Sequence, residues 1–206
     1  MGLGLQGYYN DFQNYIVPAD VVPNGGNFAQ KLVKGDYVQS IQTASTTDPL
    51  KLVTVFRCPD GLAEAWSGTP LSQTDPRGAR MWLSWDGSRA LGTWYGVNAQ
   101  HPIGTPLKAN FPFTWINTAT TPWLLNRMDM LSSPSVTAMV YDGVHIHRGN
   151  ASFINLRHGG LSTTNILRGD GGAGNYDAQA VAFAGQMGTS ATMAPFYPPL
   201  KWRIDQ

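Results

Sequence analysis

The residues best suited to metal or acid–base chemistry lie in the second half of the chain, and three of them are histidines. His145 and His147 are two residues apart, with Asp142 before them and His158 after them. Residues i and i+2 share one face of a β-strand, so the two imidazoles could converge on one metal ion. The pattern favours an exposed edge strand whose histidines face solvent, and a metal-dependent hydrolase built on Asp142, His145, His147 and His158 is the alternative.

A second candidate site is the glycine-rich segment GDGGAGNYD, residues 169–177. Asp170 and Asp177 could supply carboxylate oxygens to calcium, which prefers hard oxygen ligands. The segment lacks the aspartate order of an EF-hand loop. Aspartate is also common in turns because its side chain bonds nearby backbone amides. We therefore expect no resident cofactor, with calcium at Asp170 and Asp177 as the alternative.

Signatures of an activated nucleophile are absent from the sequence. There is no G-x-S-x-G segment, and the single cysteine, Cys58, precedes Pro59 with no histidine next to it. One cysteine excludes an intrachain disulfide and a zinc site built from several cysteines. We interpret Cys58 as a small buried apolar side chain, and the pattern favours a protein that is not an enzyme.

Tryptophans suggest a different function. Trp82, Trp85 and Trp94 lie within thirteen residues, and Trp123 follows in a proline-rich region. Exposed aromatic rings can stack on sugar rings. An extracytoplasmic carbohydrate-binding module is thus an alternative function, whereas ordinary core packing, with Trp82 and Trp94 pointing inward, would need no ligand.

Composition narrows the class of protein. The 206 residues have a formal net charge of +1 and no basic run, so no nucleic-acid partner is predicted. Charged residues make up 13% and apolar residues 42%, which is typical of a folded chain rather than a disordered one. No stretch reaches the roughly 18 apolar residues that would span a bilayer. No signal peptide is recognisable either.

The pattern of elements predicts an α+β fold. Apolar residues at helical spacing line one face of the first segment, namely Leu5, Tyr8, Tyr9, Phe12 and Ile16. We expect one domain over 1–206, with a helix over 1–17 packed on a mostly antiparallel sheet with long loops over 18–206. Within it we expect a short helix capped by Asn27, a strand that ends in a turn at Cys58 and Pro59 over 51–61, a hairpin near 80–98 and a strand over 135–143.

Five segments together resemble a known family. The first is LGLQGYYNDFQNYIVPAD (residues 3–20), and the other four carry the paired residues Cys58 and Pro59, Tyr95 and Asn98, Pro134 and Asp142, and His158 with Asp170 and Gly171. In this order they resemble the pilin-like proteins of planctomycetes, verrucomicrobia and lentisphaerae. The motif of that family has nine residues between a histidine and an Asp-Gly pair, whereas eleven residues lie between His158 and Asp170 here.

The resemblance implies a pilin-like fold and a structural function. Such proteins are subunits of type IV pilus-like or type II secretion pseudopilus filaments, in which they pack helix to helix. Their precursors are anchored in the inner membrane by an apolar helical segment. Residues 1–17 would then be the C-terminal half of that helix, and the remaining domain would be extracytoplasmic and non-catalytic.

Overall fold

In a computed structural model, the described residues of the chain form two short α-helices, two single-turn 3-10 helices and eleven strands. The structure describes residues 1–22, 26–39, 55–56, 58–61, 81–84, 90–100, 111–117, 124–144, 153–154, 157–160, 162–177, 200–202 and 204. The helices are α1 (Gly2–Asp11) and α2 (Phe28–Lys34). The strands are β1 (Asp20–Val22), β2 (Gly26–Asn27), β3 (Met81–Ser84), β4 (Ala90–Thr93), β5 (Tyr95–Val97), β6 (Ala99–Gln100), β7 (Phe113–Asn117), β8 (Ala138–Val144), β9 (Phe153–Ile154), β10 (Thr163–Arg168) and β11 (Ala173–Asp177).

The strands form three sheets, and the expected α+β class is confirmed. One sheet has the order β2-β1-β7-β6, a second has the order β11-β10-β8-β5 with β9 also paired to β8, and β3 pairs with β4. The second sheet is antiparallel throughout. The first differs from the expectation because β7 lies parallel to both β1 and β6. Strand β7 comes from a proline-rich region in which the sequence predicts only an extended segment.

Helix α1 is shorter than the predicted helix over residues 1–17. It ends at Asp11, and the backbone of Gln13 and Asn14 is left-handed, with φ of 51° and 66°. Phe12 is therefore half-exposed, although it fits the apolar pattern of a longer helix. Ile16 lies in the segment that follows the helix, and its side chain is buried. The predicted end of the helix was wrong because apolar residues continue at helical spacing beyond Gln13 and Asn14, where the chain turns.

The buried face of α1 packs against the antiparallel sheet. Leu5 and Tyr9 of the helix lie beside Met139 of β8 and Leu167 of β10. On the other side, the ring of Tyr8 meets Tyr37 edge to face, with 5.5 Å between ring centroids. Isolated helices of this length are marginal in water, so these contacts hold α1 in place. No helix among the described residues is long and apolar enough to cross a membrane.

Predictions that depend on a few neighbouring residues, the cap of α2 and the β3–β4 hairpin, are confirmed. Asn27 caps α2, accepting from the Gln30 backbone N–H while the Gln30 side chain accepts from the Asn27 N–H. The hairpin of β3 and β4 also matches its prediction, although residues 85–89 lie outside the described part. The strand expected over 51–61 is wrong at Val55 and Phe56, which form a turn, and residues 51–54 are not described.

Candidate functional site

Residues of four of the five segments that carry the resemblance lie close together around strand β8 of the antiparallel sheet. Asp142 on β8 lies directly opposite Tyr95 on β5. His158 precedes β10, and its Nε2 lies 3.7 Å from the Sγ of Cys58, one hundred residues away in sequence. We call Cys58, Asp60, Asp142, Arg157 and His158 the Cys–His cluster.

A turn fixed on Trp94 supplies Cys58. The Trp94 backbone N–H donates to the Phe56 carbonyl at 3.0 Å, and the Gly61 N–H closes the turn on the Cys58 carbonyl at 3.1 Å. Gly61 lies against the Trp94 indole so closely that a Cβ there would overlap the ring. This packing places Cys58 at the beginning of the turn and Asp60 near its end, with Pro59 between them.

A second turn places His158. Gly159 and Gly160 both have positive φ, 57° and 72°, which glycine adopts without strain. The His158 N–H donates to the Thr163 carbonyl at 3.0 Å, and the Thr163 N–H returns a bond of 3.1 Å. The sequence HGG thereby reverses the chain and sets His158 beside the start of β10.

The His158 ring lies between two carboxylates. Its Nδ1 is 2.8 Å from Asp60 Oδ2, and its Nε2 is 3.0 Å from Asp142 Oδ2. Carboxylates only accept hydrogen bonds, so an imidazolium with two N–H groups satisfies both contacts. The His158 side chain is 20% exposed and that of Asp60 is 53% exposed, whereas Asp142 is fully shielded. The cluster therefore runs from solvent into the core.

Asp142 is the buried charge at the centre of the cluster. Its Oδ2 also accepts the backbone N–H of Asn165 at 2.9 Å. Its Oδ1 lies 4.0 Å from Arg157 Nη1 and accepts no hydrogen bond from the residues that the structure describes. Arg157 donates instead to the Trp94 carbonyl at 2.6 Å. The guanidinium thus offsets the Asp142 charge without directly bonding this oxygen.

The surroundings of Asp142 favour the neutral forms of Cys58 and Tyr95. Burial raises the pKa of the Cys58 thiol, the Asp142 charge raises it further, and Arg157 opposes the shift. Burial and then the Asp142 charge raise the pKa of Tyr95. Burial lowers the pKa of Arg157 while Asp142 raises it, and we expect the guanidinium to stay charged.

The Cys–His cluster has the order of a nucleophile, a base and an orienting carboxylate, but its thiol is shielded from solvent. Cys58 is only 1% exposed. The Nε2 of His158 lies 3.0 Å from Asp142 Oδ2 and 3.7 Å from the Cys58 sulfur, so it contacts both groups. The ligand atoms of Cys58, Asp142 and His158 all lie within 4.8 Å of one another, a spacing that could also hold a metal ion.

Asn98 and Pro134 hold the backbone together elsewhere. The Asn98 Nδ2 donates to the carbonyls of Ala138 at 2.8 Å and Trp202 at 2.7 Å, which ties the end of the chain to β8. The Pro134 carbonyl accepts the Asp170 N–H at 3.2 Å. These contacts fix β8 and the turn after β10 relative to each other.

The turn after β10 contains Asp170 and Gly171. Asp170 Oδ1 accepts the Gly172 N–H at 2.8 Å, and Gly171 has a positive φ of 82°. Asp177 lies at the far end of β11. The strand between them spans roughly 14 Å at about 3.4 Å per residue. One calcium ion cannot bind both carboxylates, so the expected pairing of these two ligands is wrong.

His158 and Asp170 are separated in the same way. They flank β10 at its opposite ends, His158 pairing with Thr163 at the start and Asp170 following Arg168. The histidine and the Asp-Gly of the resemblance therefore mark the two ends of one strand and do not form one site.

Most residues of the hydrolase and sugar-binding hypotheses lie outside the described part of the chain. This holds for His145, His147, Trp85 and Trp123, and for the side chain of Trp82. Trp94 is described and is 1% exposed, so its ring packs in the core and offers no face to a sugar.

Sequence reasoning missed Asp60 and Arg157. Both adjoin motif residues, in CPD and RHGG, so they could have been found by examining the neighbours of Cys58 and His158. The contact between Cys58 and His158 had no local signal.

Comparison of the chain with protein-family models, curated proteins and solved structures finds no match.

Proposed function

We propose that this protein is a structural, non-catalytic subunit of a pilin-like filament of the type IV pilus or type II secretion pseudopilus kind, displayed outside the cytoplasm. The observation that carries the proposal is the position of α1. One face of this helix packs on an antiparallel sheet, and the other faces outward. A filament subunit needs both faces, one to hold its own domain and one to contact other subunits.

The outward face of α1 is suited to contact with another helix. Leu3 is 92% exposed, and its neighbours on this face, Gln6 and Asn10, are exposed and uncharged. The helix carries no charged side chain before Asp11 at its end. Neighbouring copies could therefore approach this face without burying unpaired charges, which would be costly.

The motif residues support a scaffold more than a catalyst. Asn98 and Asp142 are buried and accept or donate hydrogen bonds to the backbone of neighbouring segments. Cys58 is shielded from solvent. Residues used in this way preserve the shape of a subunit and present no open nucleophile.

Cysteine cross-linking in the native host tests the proposal. The full precursor would be expressed with Leu3→Cys, and filaments sheared from the cells would be oxidised and run without reductant. The only native cysteine is buried, so cross-links report the new thiol. We expect disulfide-linked dimers of the subunit in the filament fraction.

The matched control is Asn175→Cys, because Asn175 is also exposed but lies on the edge strand β11. We expect fewer cross-links from this position than from Leu3→Cys. A protein that stays monomeric, or that is absent from every filament fraction, would contradict the proposal.

A further inference from the structure

We propose that Cys58, Asp142 and His158 bind one divalent transition-metal ion of the zinc class through Sγ, a carboxylate oxygen and Nε2. This site is independent of filament assembly. It also differs from the histidine pair His145 and His147 that the sequence suggests.

The distances between the donor atoms fit a single tetrahedral ion. Zinc lies about 2.3 Å from sulfur and about 2.1 Å from nitrogen or oxygen, which places sulfur and nitrogen roughly 3.6 Å apart and nitrogen and oxygen roughly 3.3 Å apart. The separations here are 3.7 Å from Cys58 Sγ to His158 Nε2 and 3.0 Å from Nε2 to Asp142 Oδ2. These two separations differ from the tetrahedral values by a few tenths of an ångström, and all three donor atoms lie within 4.8 Å of one another.

The histidine is already oriented for coordination. The Asp60 carboxylate lies 2.8 Å from His158 Nδ1 and can accept its N–H, which leaves Nε2 to face Asp142 and Cys58. Histidines that bind metal usually donate their other ring N–H to a carboxylate in this way. Asp60 would therefore act as a positioning residue for His158.

Asp142 supplies a second, independent indication of a ligand. Its side chain is fully buried, and its Oδ1 accepts no hydrogen bond within the described residues. A buried carboxylate with an unsatisfied oxygen is costly, and a cation bound at Oδ2 of the same carboxylate would lower that cost. Arg157, 4.0 Å from this oxygen, offsets the charge but does not bond it.

A divalent ion would also balance the charge of the cluster. One thiolate, two carboxylates, one guanidinium, a neutral imidazole and two positive charges on the ion sum to zero. The mixture of thiolate, imidazole and carboxylate suits zinc and cobalt, whereas calcium and magnesium prefer oxygen alone.

Such an ion would connect three distant segments. Cys58 lies in the turn on Trp94, Asp142 lies on β8, and His158 precedes β10. An ion that binds only the native state raises the free energy of unfolding by RT ln(1 + [L]/Kd). The fourth coordination position would be taken by water, since the His158 side of the cluster is 20% exposed.

Cobalt titration of the metal-stripped full chain tests the site. A sulfur-to-cobalt charge-transfer band in the near ultraviolet reports Cys58 alone, because the chain has one cysteine. We expect the band to saturate at one equivalent and to disappear when zinc is added. Zinc should also raise the melting temperature of the stripped protein.

Three variants test whether cobalt binds at the proposed residues. Cys58→Ser should lose the band. Asp60→Asn should weaken cobalt binding by about 10- to 100-fold, as is usual when the carboxylate behind a metal-bound histidine is removed. Asp170→Asn, an exposed aspartate in the turn after β10, is the matched control and should bind as the wild type does.

Asp60→Asn keeps the test decisive if Cys58→Ser does not fold, because the Asp60 side chain is 53% exposed. Wild-type protein that shows no charge-transfer band with cobalt would overturn the proposal. Equal cobalt affinity in the wild type and Asp60→Asn would overturn it as well.

Discussion

The guanidinium of Arg157 lies 4.0 Å from the carboxylate of Asp142, and both side chains are completely shielded from solvent. Each charge would be costly to bury alone, so the two residues depend on each other. Asp142 in turn holds the Asn165 backbone and faces His158. The pair therefore forms the buried end of the Cys–His cluster, where the guanidinium offsets the charge of the carboxylate.

Arg157→Met should destabilise the protein strongly. It removes the positive charge and leaves Asp142 buried and uncompensated, a change that typically costs about 3–5 kcal/mol. Urea unfolding followed by tryptophan fluorescence would measure the change in free energy of unfolding. Adding Asp142→Asn to this variant should cost less than the sum of the two single changes, because the residues are coupled.

The control for this prediction is the same substitution in an exposed ion pair. Arg127 contacts Asp129 at 2.7 Å with both side chains about half-exposed. Exposed pairs contribute about 0–1 kcal/mol, so Arg127→Met should change the unfolding free energy far less. Similar losses in the two variants would show that burial of the Arg157 charge is not the cause.

Leu5→Ala should separate the two faces of α1. Leu5 is buried against the sheet, and truncating a buried leucine typically costs about 2–5 kcal/mol. Leu3 lies two residues earlier in the same helix but is 92% exposed, so Leu3→Ala should change stability by only about 0.5 kcal/mol. Urea unfolding of both variants checks this, and equal effects would contradict the docking of α1 through Leu5.

The sequence allowed prediction of features whose causes are local. The Asn27 cap, the hairpin of β3 and β4 and the apolar face with Leu5 and Tyr9 each depend on residues a few positions apart. The end of α1 was missed because Gln13, a residue with no special turn preference, adopts a positive φ. Tertiary packing decided that point, and the apolar spacing through Ile16 concealed it.

The Cys–His cluster could not have been assembled from the sequence. Cys58 and His158 are one hundred residues apart, and only the pairing of β8 with β10 brings His158 to Asp142. The resemblance singled out Cys58, Asp142 and His158 without indicating that they touch.

Asn98→Ala should loosen the end of the chain. The Asn98 side chain donates to the Ala138 and Trp202 carbonyls, and its loss leaves two buried acceptors without this donor. We expect a loss of roughly 1–3 kcal/mol in the free energy of unfolding. Hydrogen exchange at residues 200–202 should also become faster.

Asn165→Ala is the matched control for Asn98→Ala. The Asn165 side chain is exposed and bonds only the exposed Asn175 among the hydrogen bonds described, so its loss should change stability by about 0.5 kcal/mol or less. Equal losses from the two asparagine variants would refute a special role for Asn98.

The bond between Tyr37 and Asp11 should make stability fall at alkaline pH. Tyr37 donates its hydroxyl to Asp11 Oδ2 at 2.7 Å, and this bond is the main reason that the pKa of Tyr37 rises from 10.0 to about 12. The folded state thus favours the protonated phenol. The stabilisation is complete below pH 10.0 and is lost as the pH rises through about 12.

Comparison of the wild type with Tyr37→Phe isolates this effect. Phenylalanine keeps the edge contact with Tyr8 but has no hydroxyl to ionise, so the stability difference between the two proteins should be constant below pH 10.0 and shrink as the pH rises towards about 12. Burial raises the pKa of Tyr9 as well, but both proteins contain Tyr9, so its contribution cancels in the difference. Urea unfolding at several pH values provides the data. A stability difference that stays constant across the whole range would mean that the hydrogen bond to Asp11 does not hold the end of α1 against the segment after α2.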